Sequence, residues 1–525
     1  MTDEVIQKFK ELPRLKLLII IFTIWQYFSI LGIAVLNWPN SLVWLNLGLL
    51  LGFIALCPIY ESLLMLILSI PFYVVLPNTR FDSLSMWRIL FVVLLAVWFI
   101  RDRKFRFDGI IFLPWDKYLG YFMFLGLVVT LFFGQFRAQG LKEILFLLNI
   151  YIFYVVLINV LKNKQQIFEL IRYVIWALAI IVTLGFTQLI GTFLTNLDTF
   201  WVYWADNVSK LYYGGGFASV ALYSNSWFSY TGGRELRMFS IMSDSQSFAY
   251  ICIFGLCIGT ALTRSVFKHI RKWLWSGIRF AALGMILSGT RAVWVGMLAP
   301  FFAVALGYFK DIQKHLAKKY LWPFIIIFAL FLASPFINIG LNYLRVNQFH
   351  ENFLSRAESI YDVNDVSNSG RIAIWKSSLK FALYHPLGVG FSNFIVSLDP
   401  QATSKDYETL SNEVNARYNL PQKYISAHNL YLQILVETGV LGLGIFLMFL
   451  FSVARYLWNF IKHHEKREDF LVYFVAQALL MLVWIMAAAV FDVTLLNDKV
   501  LMFFFIDLGL AGLVVKRYQE YEIEE

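Results

Sequence analysis

Three ionisable residues of the 525-residue chain stand where helices are predicted to begin. Arg291 follows Ser288-Gly289-Thr290, and Arg371 follows Ser369-Gly370. His428 lies in Ser426-Ala427-His428-Asn429, a string that caps a long apolar run and puts the histidine in its first turn. A helix N-terminus carries partial positive charge and unpaired N–H groups, so a cation there is mildly disfavoured. An anion bound at the same end removes the conflict, because N–H groups and guanidinium forks both grip phosphate oxygens. The same field disfavours imidazolium and keeps His428 neutral, the state a general base needs.

Each of these residues also has a plain structural reading. Arg291 can snorkel to headgroups, and Arg371 can pair with Asp362 or Asp365. A lone histidine at a membrane interface is commonly a packing residue. Asp244 and Glu437, within apolar runs, can be paired inside a bundle. The acidic pair Asp362 and Asp365 lacks a nearby histidine or third carboxylate, so no metal site is expected. No P-loop, zinc site or Ser/His/Asp hydrolase motif is present.

The elements that must position these groups are legible in outline. Ser369 reads as the N-cap of an amphipathic helix over 372–384, with Lys376 and Lys380 on one face. Ile372, Trp375, Leu379 and Ala382 line the other. His385-Pro386-Leu387-Gly388-Val389-Gly390 ends it: the proline stops the helix, and Gly388 and Gly390 permit tight or left-handed backbone. A polar stretch over 397–423 follows.

Composition supplies the solvent. Hydrophobic residues make up 59% of the chain, charged ones 15% and aromatics 18%, with mean hydropathy +0.65. A soluble domain is nearer half apolar and a quarter charged. These values exclude a singly anchored enzyme, a disordered scaffold and a disulfide-stapled domain; Cys57, Cys252 and Cys257 read as small core residues. The fold class expected is an all-α polytopic membrane protein. About fourteen runs approach the roughly 20 apolar residues that a bilayer requires, near 17–36, 42–56, 62–76, 87–100, 118–133, 144–161, 168–190, 239–262, 273–287, 292–309, 322–339, 429–451, 471–491 and 500–515. The net charge of +10 is concentrated in clusters before span one (Lys8 to Lys16) and after spans four (Arg101 to Arg106), eight (Arg264 to Lys272), ten (Lys310 to Lys319) and twelve (Arg455 to Arg467). All fall on one side of the fourteen-span arrangement, which predicts cytoplasmic termini and no role in nucleic-acid binding. Lys8 to Lys16 precede a span too long for a signal sequence, so no cleaved leader is expected.

The organisation expected is therefore 1–190 N-terminal spans, 191–236 an aromatic external loop, 237–339 further spans, 340–427 a large external loop, and 428–525 C-terminal spans. Long loops in compact proteins usually carry function. The first holds Trp201, Tyr203, Trp204, Tyr212, Tyr213, Trp227 and Tyr230, either a stacking surface or an interfacial belt. No internal repeat is visible, which counts against transporters built from duplicated halves.

Taken together, Ser288-Gly289-Thr290-Arg291, Gly370-Arg371 with Trp375, the 385–390 string, His428-Asn429-Leu430-Tyr431-Leu432-Gln433 and Glu437 through Gly442 resemble the O-antigen ligase and polysaccharide polymerase superfamily. The resemblance covers roughly 237–451. It implies a GT-C-like fold and a metal- and cofactor-independent inverting glycosyltransferase in the bacterial inner membrane. It would take a glycan from undecaprenyl diphosphate and join it to a hydroxyl on the outer face. Carried over, His428 is the base, Arg291 and Arg371 hold the diphosphate, Arg237 is a further basic position, and Asn429, Gly388 and Gly390 support them. Polymerisation of surface polysaccharide or O-antigen repeat units is the leading expectation. Ligation to lipid A core, or transfer to protein, stands second. The rival of another class is a flippase for lipid-linked glycans, which would need ionisable groups along a route through the bilayer.

Overall fold

The computed structural model describes residues 14–77, 79, 84–223, 227–229, 235–265, 268–309, 329, 366–398, 426–464 and 469–523. The predicted span 322–339 apart from residue 329, basic residues at 8–10, 310–319 and 466–467, Asp362, Asp365, Tyr230 and the polar stretch 399–423 lie outside them.

The described chain is helical. In order it forms α1 (Arg14–Leu36), α2 (Ser41–Leu56), α3 (Ile59–Leu68), α4 (Met86–Val97), α5 (Asp116–Phe133), α6 (Arg137–Val160), α7 (Lys164–Leu194), α8 (Leu197–Tyr203), α9 (Lys210–Tyr213) and α10 (Gly215–Tyr223). There follow α11 (Ser245–Leu262), α12 (Lys268–Leu287), α13 (Arg291–Gly296), α14 (Leu298–Phe309), α15 (Val366–Tyr384), α16 (Leu430–His463), α17 (Phe470–Ala488) and α18 (Asp498–Ile523). A two-residue antiparallel ladder pairs Phe228–Ser229 with Glu235–Leu236. Among the described residues seven helices, α1, α5, α6, α7, α11, α16 and α17, are long and apolar enough to cross a membrane. Large apolar side chains such as Ile24 and Phe28 on α1 and Phe451 on α16 point outward. Such a surface would be a liability in water and is the normal boundary against lipid. The protein is a polytopic membrane protein.

Two compact units divide it. The first is Met1–Ile111, Asn149–Ile181 and Val202–Ser219. Polar side chains tie its helices where lipid offers no hydrogen bonds: Gln26 Nε2 donates to Ser69 Oγ at 3.1 Å and Asn46 Nδ2 to Ser29 Oγ at 2.8 Å. The second is Phe112–Leu148, Val182–Trp201 and Val220–Glu525. At its centre stand α11 and α17, buried over 89% and 83% of their apolar windows.

Several predicted spans take a broken form. The run 62–76 becomes α3 and a 3-10 turn over Ile70–Phe72, because Pro71 has no N–H to continue the helix. The run 87–100 is α4 with a π turn over Trp98–Asp102, and 292–309 is split between α13 and α14. The run 239–262 turns helical only at Ser245, where Asp244 Oδ1 accepts the Ser247 N–H at 2.7 Å as N-cap.

The predicted helix 372–384 starts earlier, at Val366. Ser369 is thus inside α15 instead of capping it, and Arg371 is in its second turn instead of at its N-terminus. Packing explains the difference: Ile374 and Phe381 lie in a core with Ala427, Val436 and Phe394. That burial carries the weak helix formers Asn368, Ser369 and Gly370 into the helix. Ser378 joins the buried face, whereas Leu379 is exposed.

Candidate active site

The second unit gathers most of the residues singled out by sequence. Asn429 is the N-cap of α16, its Oδ1 accepting the Leu432 N–H at 3.0 Å. His428 therefore precedes the helix instead of sitting in its first turn. Its φ of 47° is a left-handed conformation costly for a non-glycine residue, about 1–3 kcal/mol. The surroundings over-determine it. Trp375 Nε1 of α15 donates to Ala427 O at 2.9 Å, Gln433 Oε1 accepts the Ala427 N–H at 2.9 Å, and the Leu430 N–H donates to Ala489 O at 2.9 Å.

The half-buried His428 ring is held neutral, its pKa lowered to about 3 by burial and then by the Arg371 guanidinium. Neutrality was expected from the helix field; its cause is a neighbouring cation and an apolar setting. Arg371 and His428 thus face each other electrostatically, although Arg371 is not at a helix end.

A carboxyl group that sequence reasoning passed over also belongs here. Asp492, in the connection between α17 and α18, is fully buried. It accepts hydrogen bonds from Tyr250 Oη at 2.9 Å and the Thr494 N–H at 3.1 Å. Burial raises its pKa to about 7 against the pull of these bonds and of Arg371, with the Asp244 charge adding to the rise. Asp492 therefore lies within electrostatic reach of both Arg371 and Asp244. Its connection makes physical contact on both sides. Phe491 is 6.3 Å from Trp375 ring to ring, Thr494 Oγ1 donates to Gln246 Oε1 at 3.2 Å, and Asn497 Nδ2 donates to Ser243 Oγ at 2.6 Å. A lone aspartate just past an apolar run carries no spacing signal, which is why the sequence did not disclose it.

Arg291 and Arg237 enter through their backbones. Arg291 opens α13 as predicted, after a turn in which Gly289 has φ 62° and Thr290 Oγ1 donates to Ser245 O at 3.2 Å. That pins the arginine's turn to the residue after Asp244. Arg237 precedes Met238, whose N–H donates to Leu287 O at 3.4 Å, just ahead of the same turn. α13 is held in turn by Trp484 Nε1 donating to Val293 O at 2.9 Å.

Gly388 and Gly390 act on direction. At Gly439 (φ 71°) α16 kinks, freeing carbonyls that a straight helix would pair internally. The 385–390 loop takes them: the Val389 N–H donates to Val436 O at 3.1 Å and the Gly390 N–H to Glu437 O at 2.8 Å, while the Val440 N–H donates to Pro386 O at 2.9 Å. Gly388 has φ 83°, and a Cβ there would lie 2.5 Å from the Gly439 nitrogen. The glycines allow two backbones to touch, and the clasp sets α15 against α16.

The O-antigen ligase family model matches residues 277–447. That match supports a place in the O-antigen ligase and polymerase superfamily for the part of the chain it covers. No curated protein matches it. The O-antigen ligase domain contains Arg291, Arg371, Gly388, Gly390, His428 and Asn429; Arg237 and Asp492 lie on either side of it. Superfamily members are glycosyltransferase-like ligases and polymerases. The aromatic residues read as either a stacking surface or an interfacial belt are partly core: Trp201 and Trp227 are 2% and 4% exposed and lie 5.7 Å apart ring to ring. Among the described residues no group of three or more His, Cys, Asp or Glu is set to hold a metal ion.

Proposed function

We propose that this protein is an inverting glycosyltransferase that moves a glycan from undecaprenyl diphosphate to a hydroxyl acceptor at the outer face of the bacterial inner membrane. The observation that carries the reading is a half-buried, neutral His428 within electrostatic reach of Arg371 in an O-antigen ligase domain. In this reading the fold is GT-C-like with 12–14 spans and both termini cytoplasmic, as the basic clusters favour. The acceptor oxygen attacks the anomeric carbon, the bond to the diphosphate oxygen breaks with its electron pair, and His428 takes the hydroxyl proton. Arg371, Arg291 and Arg237 hold the diphosphate and stabilise the charge it gains. Arg371 also couples the two events. A bound diphosphate offsets the guanidinium charge that depresses His428, so the base strengthens when the donor is in place. Arg291 opens a helix and His428 precedes one, a placement that favours one-sided transfer over a route through the bilayer.

Polymerisation of surface or O-antigen repeat units is the leading assignment, with ligation to lipid A core second. Purified protein in nanodiscs, given lipid-linked repeat units with and without lipid A core, separates them. Longer lipid-linked chains are the expected product. A glycosylated core would make the protein a ligase, and an intact donor moved between leaflets would overturn the transferase reading.

A further inference from the structure

The first unit contains a cavity of about 570 Å³, within the usual size range of small-ligand sites. Its lining includes Asn37, Trp38, Asn40, Asp206, Asn207 and Lys210. The chemistry differs from that of the arginine site. Lys210 and Asp206 offset each other among the described lining residues, so the cavity is not built for a diphosphate. Its polar groups include three amides, Asn37, Asn40 and Asn207, each able to present a donor and an acceptor side by side to vicinal hydroxyls.

The walls are braced. The Trp38 N–H donates to Gly32 O at 3.1 Å, and its ring lies so close to Gly32 that a Cβ there would overlap the indole. One face of Trp38 is thus fixed against α1 while the residue stays 41% exposed. Tyr203 Oη donates to Ala34 O at 2.8 Å, the Val75 N–H to Leu211 O at 3.0 Å, and Tyr212 Oη to Pro71 O at 3.0 Å. Asp206 and Asn207 stand on a π turn over Trp204–Ser209, an irregularity that recurs at functional sites. The Asn207 Nδ2 is used on Tyr203 O at 2.9 Å, which fixes its amide plane. Asn40 occupies the N-cap of α2 yet makes no side-chain capping bond, and Asn37 is exposed with φ 54°.

We infer that this cavity is a saccharide-binding site for an uncharged oligosaccharide, with Trp38 under the apolar face of a sugar ring and the amides on its hydroxyls. An amphipathic ring and a few fixed amides match the two faces of a pyranose, and the braces remove ordering cost on binding. The sequence charge pattern puts 37–40, 77–79 and 206–215 on the side opposite the basic clusters. The bound glycan's role as acceptor chain rests on the transferase reading above; its binding does not.

The test uses the full chain in nanodiscs on an array of uncharged oligosaccharides, beside an array of sulfated and phosphorylated ones. Wild type is expected to capture uncharged glycans, with affinity falling about tenfold in Trp38→Ala and in Asn207→Ala, the loss of one good contact. His428→Ala should bind as wild type. No capture, capture of the anionic array alone, or capture unchanged in both cavity variants would overturn the site. Capture by a protein that transfers no glycan would leave the site standing and remove the transferase reading.

Discussion

At the residue scale the decisive groups are those whose surroundings contradict their ordinary charge. His428 stays neutral because burial and Arg371 both oppose a second cation. Asp492 is the mirror case, a carboxyl whose proton the folded chain holds to about pH 7 against an ordinary 3.8. Its folded pKa is raised, so the stability it contributes is complete below the unfolded value and is lost as pH climbs through 7. Asparagine at this position does not titrate. We predict that the melting temperature of Asp492→Asn, relative to wild type, rises between about pH 5 and about pH 8, followed by thermal unfolding in nanodiscs. A difference that stays flat over that interval would contradict the raised pKa and place a stabilised carboxylate there instead. Arg291, Arg371 and His428 drew attention in the sequence because each follows or joins a string of turn-forming or capping residues. Asp492 did not, since its meaning comes from Tyr250, far away along the chain.

At the element scale the 385–390 loop and the Gly439 kink form one device. Three backbone hydrogen bonds cross it, and two positive-φ glycines meet at its centre. The string was readable as a helix stop with left-handed backbone; that its unpaired N–H groups go to a break in α16 was not, because the break itself has no proline to announce it. Gly388→Ala forces a Cβ into the Gly439 backbone, so we predict a loss of stability beyond the roughly 1–3 kcal/mol of backbone strain alone. Thermal unfolding reads the effect. An unchanged melting temperature would show that the clasp does not hold α15 to α16. The start of α15 was misread for a related reason: Asn-Ser-Gly reads as a turn locally, while the core behind Ile374 and Phe381 extends the helix through it.

At the scale of the whole molecule, composition and charge were enough for a polytopic helical protein, since a lipid-facing surface must be apolar and a spanning backbone must pair within itself. They were a poorer guide to which runs are continuous. Pro71 ends α3 early, and α13 stops at Gly296, where a Cβ would lie 2.8 Å from the Ala488 nitrogen on α17. These short pieces are what bring the 287–291 turn and the 489–497 connection to the head of α11. The claim that matters most is that His428 takes the acceptor proton while the arginines hold the donor. It is tested by supplying radiolabelled undecaprenyl-diphosphate-linked glycan to wild type and His428→Ala, and following both donor binding and release of undecaprenyl diphosphate. We predict that the variant binds the donor normally and releases the carrier about 10²–10⁴-fold more slowly; release at the wild-type rate would contradict a histidine base.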